Sequence, residues 1–152
     1  MNHLRAVVQR VSFSEVRVEG KLRGRIKQGL MVLLGIKKGD SKAEGDYLLE
    51  KIVNLRIFPD EEGKMNRSLL DIEGEILLVS QFTLYGDARK GRRPSFSAAE
   101  LPELAEALFD YCVDGLRQRG VQVETGTFGA EMLLSIENDG PCTILLDSEK
   151  LF

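Results

Sequence analysis

Between Gly29 and Gly35 stands Leu30-Met31-Val32-Leu33-Leu34, the longest unbroken apolar run in the chain. It is far too short to span a bilayer, and with no polar residue at alternate positions it has no face to give to water. The run predicts a strand covered on both faces.

Around it the pattern is mostly strand. Leu4 to Val18 is rich in valine with polar interruptions, and Glu19-Gly20-Lys21 turns it into Leu22 to Ile26, a hairpin. Arg56-Ile57-Phe58 reads as a short strand stopped by the acidic turn Pro59 to Gly63, and Glu75 to Phe82, Val121 to Glu124, Ala130 to Glu137 and Cys142 to Leu146 as further strands. A turn at Asn138-Asp139-Gly140-Pro141 separates the last two. Two segments carry the helical repeat instead. Ser41 and Glu44 have capping-box spacing ahead of Tyr47, Leu48, Ile52 and Leu55. Pro102 opens a second helix with an apolar stripe at Leu104, Leu108, Tyr111, Cys112 and Leu116 and a stop at Gly120. Tyr85 to Ser97 has no period and is a long basic loop. Many strands, two helices and no βαβ alternation predict an α/β fold: mixed, largely antiparallel sheets with two main helices packed on them, one domain over residues 1–152.

The 152 residues set 21 basic side chains against 24 acidic ones, a net charge of −3 with the single histidine neutral. No global positive field therefore gathers RNA or anionic membrane, and any nucleic-acid contact must be local. The one histidine, His3, stands next to the chain start, which argues against Ser-His-Asp or Cys-His catalysis. Cys112 and Cys142 have neither metal-ligand spacing nor the look of a disulfide framework and read as reduced thiols. An enzyme of this composition works without an imidazole base, and neither metal nor cofactor is expected. No secretory signal opens the chain, so the expected location is cytoplasmic.

Three places can carry chemistry. Ser80-Gln81-Phe82-Thr83 lies where an apolar strand meets an irregular segment. Its hydroxyls, amide and backbone N–H groups can cradle an oxyanion, or Ser80 and Thr83 can simply satisfy neighbouring backbone groups. Gly140-Pro141 sits in a tight turn, where a cis bond is most plausible although trans is the commoner form; cis geometry can turn two successive carbonyls the same way, as acceptors for an ammonium group. Arg89, Lys90, Arg92 and Arg93 put four cations within five residues, a phosphate site or a solvated loop. Gly29 and Gly35 lack nucleotide-loop spacing.

Taken in order, these segments resemble the D-aminoacyl-tRNA deacylases. Ser80-Gln81-Phe82-Thr83-Leu84 is similar to the family's SQFTL signature and Asn138-Asp139-Gly140-Pro141-Cys142-Thr143 to its NxGPxT signature. Gln9-Arg10-Val11, Asn54 to Phe58, Lys64-Met65-Asn66, Lys90 to Phe96 and Phe128-Gly129-Ala130 also match, so the likeness runs from Gln9 to Thr143. The SQFTL form resembles the D-specific branch rather than the related animal deacylase with a trans Gly-Pro.

The resemblance implies a homodimer, with active sites at the subunit interface, that hydrolyses the ester joining a D-amino acid to the 3′-terminal adenosine of tRNA. It implies a cis Gly140-Pro141 bond whose carbonyls enter the partner's pocket and hold the substrate's α-amino group. Arg10 would help lock the partner's Gly-Pro segment, and Phe128 and Met132 would line the pocket. Ser80, Gln81, the Phe82 backbone N–H and Thr83 would form the catalytic site, Thr83 positioning rather than attacking because no base adjoins it. Arg89, Lys90, Arg92 and Arg93 would grip the acceptor end. A clamp of main chain rejects L-aminoacyl-tRNA by exclusion and leaves glycyl-tRNA a substrate. The competing expectation is a non-catalytic nucleic-acid-binding dimer that uses the basic loop 89–93.

Overall fold

Strand β1 (Arg5–Val18) turns at Glu19-Gly20 into β2 (Lys21–Ile26), and the chain then continues as β3 (Gly29–Gly35). The register pairs Val18 with Lys21, Ser14 with Ile26, and Val11 with Gly29, so β2 and β3 lie end to end, antiparallel, along one side of β1. This computed structural model describes residues 4–152; His3 lies outside the described residues. Helix α1 (Lys42–Asn54) follows, then β4 (Phe58–Pro59) and β5 (Met65–Arg67), which pair with each other. β6 (Glu75–Ser80) runs parallel to β3, and after helix α2 (Pro102–Gln118) β7 (Gln122–Thr125) runs parallel to β6. β8 (Leu133–Asp147) returns antiparallel along the other side of β1. The result is the expected mixed α/β architecture: antiparallel around β1, parallel where helices cross over, with both helices on one face.

β3 is buried on both faces, as its composition demands. Leu30, Val32 and Leu34 enter the helix-side core with Leu48, Leu49, Ile52 and Leu116, whereas Met31 enters a smaller core with Val11, Ile26, Leu77 and Val79. Each such side chain stabilises the fold by about 1.5–3 kcal/mol through burial. The smaller core exists because the sheet curls, bringing β2 over β6 and β7. A Cβ on Gly24 would stand only 2.9 Å from the Thr125 carbonyl oxygen.

Several elements depart from the sequence reading, each for a local reason. The buried stripe of α2 is Ala105, Leu108, Phe109, Cys112, Val113 and Leu116; Leu104 is 58% exposed and Tyr111 half-buried. Small residues fix that rotation, since Cβ atoms on Gly45 and Gly115 would stand 3.2 Å from Cys112 Sγ and 2.6 Å from Leu49 Cδ1. β6 stops at Ser80 because Phe82–Tyr85 winds into a 3-10 turn. β5 is a strand that the sequence reading did not contain, and β8 starts at Leu133, later than expected.

The turn expected at residues 138–141 does not reverse the chain. β8 runs through it, and the ladder pairs Gln9 with Thr143 and Val11 with Asn138, leaving Arg10 alone opposite residues 139–142. Proline has no N–H for the ladder, and the strand accommodates it by bulging out.

Candidate active site

β6 brings Ser80 level with Leu34 of β3, and the Gln81 N–H still donates to the Leu34 carbonyl at 2.8 Å. There the ladder ends. In the 3-10 turn that follows, the Gln81 carbonyl accepts from the Leu84 N–H (3.2 Å) and the Thr83 carbonyl from the Gly86 N–H (2.9 Å). Gln81 Nε2 donates to Thr83 Oγ1, so the threonine hydroxyl is held by a side chain rather than by its own backbone. The first N–H groups of a helical turn have no partner inside it. Those of Phe82 and Thr83 meet no acceptor among the described residues. The Phe82 ring is 56% exposed and stands edge-on to Phe96 at a centroid separation of 5.3 Å.

Behind Ser80 is a narrow cleft walled by Val79, Phe109, Gly126, Phe128 and Met132. Ser80, Phe128 and Met132, distant in sequence, therefore meet at one place. Phe128 leans on Phe109 with ring centroids 6.0 Å apart. A Cβ on Gly126 would stand 2.4 Å from Met132 Sδ, so the methionine reaches its position only because residue 126 has no side chain. Val79, Phe109 and Gly126 were missed in the sequence. The one available signal was a glycine between Thr125 and Thr127, in a segment otherwise suited to strand.

Gly140 and Pro141 are exposed on the bulge, and the peptide bond between them is cis. Arg10, only 8% exposed, holds the bulge from beneath: its Nε donates to the Asp139 carbonyl at 2.9 Å, and its Nη1 to the Ile57 carbonyl at 2.5 Å. The Asp139 carboxylate adds an ion pair at 3.5 Å. On the far shoulder Thr143 Oγ1 donates to Gln9 Oε1.

Within one chain the bulge and the Ser80–Thr83 segment do not meet. Ser80 is level with Leu34, Leu34 with Ala6, and Ala6 with Leu146, while Pro141 lies five residues back along β8. At normal strand spacing and rise this is a separation on the order of 20 Å.

The basic loop is closed at its base by paired hydrogen bonds between Asp87 and Ser95, 2.7 and 2.9 Å. Arg89 donates to the Asp87 carboxylate through Nε (2.9 Å) and Nη2 (2.7 Å), which draws that acid down to about 2. Lys90, Arg92 and Arg93 are exposed, outside any ion pair among the described residues. Burial pushes the Cys112 thiol up to about 12 and also raises Cys142, which leaves neither as an activated nucleophile. Among the described residues no cluster of His, Cys, Asp and Glu is arranged to hold a metal, and no helix is long and apolar enough to cross a membrane.

Among the described residues the Ser80–Thr83 segment offers hydroxyls, an amide and free backbone N–H groups at a strand end, with no imidazole beside them. The class of protein is fixed by likeness to known chains. Residues 7–147 match the family model described as D-Tyr-tRNA(Tyr) deacylase, and the chain belongs to that family; its activity is the deacylation of D-aminoacyl-tRNA. A D-aminoacyl-tRNA deacylase of Syntrophomonas wolfei subsp. wolfei (strain DSM 2245B / Goettingen) is 99% identical over 149 residues, 98% of this chain and 100% of the relative. One from Thermosipho melanesiensis (strain DSM 12029 / CIP 104789 / BI429) is 58% identical over 150 residues, with the same coverage of both chains. Among solved structures, one titled "c-Myc DNA Unwinding Element Binding Protein" superposes with a TM-score of 0.88 at 43% identity, over 93% of this chain and 97% of the other. A probable eukaryotic D-amino acid tRNA deacylase, at 23% identity and a TM-score of 0.82 over 95% and 99% of the two chains, shares the fold.

Proposed function

We propose that each active site is completed by a second copy of the chain: the Gly140 and Pro141 carbonyls of one protomer enter the site beside Ser80–Thr83 of its partner and hold the α-amino group of a D-aminoacyl ester. The observation that carries this reading is the separation on the order of 20 Å between the two segments within one chain, too far for both to touch one amino acid. The character of β8 supports it as well. β8 is an edge strand with Leu133 69% exposed and Leu145 50% exposed, the kind of apolar, unpaired edge that invites a partner. Arg10 then stiffens the clamp from its own side.

With the amino group held, a water attacks the ester carbonyl carbon and the bond to the ribose 3′-oxygen breaks. The proton lost by the water ends on that oxygen, with the neighbouring 2′-hydroxyl available as a relay. The developing oxyanion is met by the Phe82 N–H, while Gln81 holds Thr83 and Ser80 borders the cleft with Phe128 and Met132. No imidazole is needed, because an aminoacyl ester is already activated and positioning supplies much of the rate. Arg89, Lys90, Arg92 and Arg93 grip the acceptor end of tRNA, and the work belongs to the cytoplasm, where tRNA is charged.

A clamp that fixes the amino and carbonyl groups discriminates by where Cα points its substituent. The D side chain leaves outward and the L side chain meets backbone. Glycine has no substituent, so glycyl-tRNA is expected to be deacylated at a rate comparable with D-alanyl-tRNA, while L-alanyl-tRNA stays intact. Release of radiolabelled amino acid from the three substrates checks this. Inert glycyl-tRNA beside cleaved D-alanyl-tRNA removes exclusion as the filter. The competing expectation, a nucleic-acid-binding dimer without catalysis, gives way to the deacylase activity of the family and of the 99%-identical relative.

A further inference from the structure

A groove distinct from the cleft behind Ser80 opens between the ends of β1 and β3 and the base of the basic loop. Its volume is about 440 Å³, and Arg5, Lys37, Tyr85, Gly86, Asp87 and Arg89 line it. Arg5 lies over the Tyr85 ring, 5.1 Å from its centroid, and donates through Nε to Asp147 (3.0 Å) and through Nη1 to the Leu84 carbonyl (3.4 Å). Its Nη2, like Nη1 of Arg89, has no acceptor among the described residues. Arg5 is held by the buried Asp147 carboxylate and Arg89 pairs with Asp87 at the surface, and both guanidinium groups keep donors to spare, the combination that suits phosphate oxygens. Lys37 adds a third cation to the lining.

Position is the second observation. Tyr85 closes the 3-10 turn that Phe82 opens, so the groove begins where the ester-cleaving segment ends. From it the exposed cations Lys90, Arg92 and Arg93 continue outward along the loop. Small residues, Gly86, Ala88 and Ala98, leave the lining open to a bulky ligand. We propose that this groove takes the sugar-phosphate backbone of the single-stranded RNA immediately 5′ of the terminal adenosine. The substrate of the site is then an aminoacylated RNA end several nucleotides long, in preference to an aminoacyl nucleoside. The proposal rests on reading Ser80–Thr83 as the ester-cleaving segment.

The test compares a D-aminoacyl-tRNA with the 3′-O-(D-aminoacyl)adenosine of the same amino acid, using the full chain and its Lys37→Gln and Lys37→Arg variants. Lys37→Gln is expected to raise KM for the tRNA about tenfold, the effect of one lost hydrogen bond to a charged group, with kcat nearly unchanged. The slope of log KM against log salt should fall by about 0.7, the value for one phosphate contact on a single strand. Lys37→Arg should restore both quantities, and the adenosine ester should show neither change. An equal KM rise on both substrates, or none on the tRNA, overturns the proposal. Wild-type protein inert toward both substrates removes the underlying reading, and the proposal with it.

Discussion

Replacing Phe82 with proline is expected to lower kcat for D-aminoacyl-tRNA by about 100- to 1000-fold, the loss that follows removal of one oxyanion donor. Proline deletes the N–H together with the ring, while the local backbone accepts it. Residue 82 is the first of the 3-10 turn, where proline is tolerated, and the preceding Gln81 is already non-helical at φ −143°, ψ 85°. Phe82→Ala separates donor from ring: it keeps the amide while losing the edge contact to Phe96, and should retain most of kcat. Single-turnover rates of the two variants beside wild type, with thermal melts to show that both are folded, check the result. Equal losses from proline and alanine would assign the effect to the ring and leave the amide without a role.

The largest stability effect is expected at Gly29, at the opposite end of the β3–β6 ladder from Ser80. A Cβ there would stand 1.9 Å from the Glu75 carbonyl oxygen and 2.7 Å from its nitrogen, both main-chain atoms in the ladder that joins β3 to β6. No rotamer change relieves such a contact, so the two strands must part where their ladder begins. Gly29→Ala should cost more than about 4 kcal/mol, at the extreme of single substitutions, and leave little folded protein. Gly20→Ala is the comparison: nothing lies within 4 Å of its Cβ, and the only cost is a left-handed backbone at φ +76°, about 1–2 kcal/mol. Urea denaturation midpoints read both. A Gly29→Ala midpoint near that of wild type would show that β3 and β6 are not packed as described.

What the sequence revealed, and what it concealed, follows from the range of the interactions involved. β3 could be read because a run with no polar position has only one place to go, and α1 because Ser41 and Glu44 cap it locally, the Ser41 N–H donating to Glu44 Oε2 at 3.0 Å. The rotation of α2 could not, since it is set by Gly45 and Gly115, two backbones brought together by the tertiary fold. Asn138-Asp139-Gly140-Pro141 has the composition of a turn, and local propensity alone would make it one. The long partner β1 overrides that preference by continuing the ladder on both sides, with Arg10 anchoring the excess residues to Asp139 and Ile57. The Ser80–Thr83 segment was legible as a strand end. Its cleft was only partly so, because Gly126 matters for the side chain it lacks.

Subunit complementation measures directly whether the clamp is lent between protomers. Phe82→Pro disables the hydrolytic segment and keeps the clamp; Gly140→Val blocks the clamp, its side chain driven toward Asn138 Nδ2, which already lies 2.8 Å from the Cβ position. Each variant alone should be nearly inactive toward D-aminoacyl-tRNA. In a hybrid dimer, one of the two symmetry-related sites combines an intact segment from one chain with an intact clamp from the other. Unfolding and refolding the two variants together in equal amounts should therefore restore about one quarter of wild-type activity, half the dimers being hybrids with one working site each. No recovery above the two parents, with hybrid dimers demonstrated by native mass spectrometry, would mean that clamp and segment act within one chain and would contradict the account.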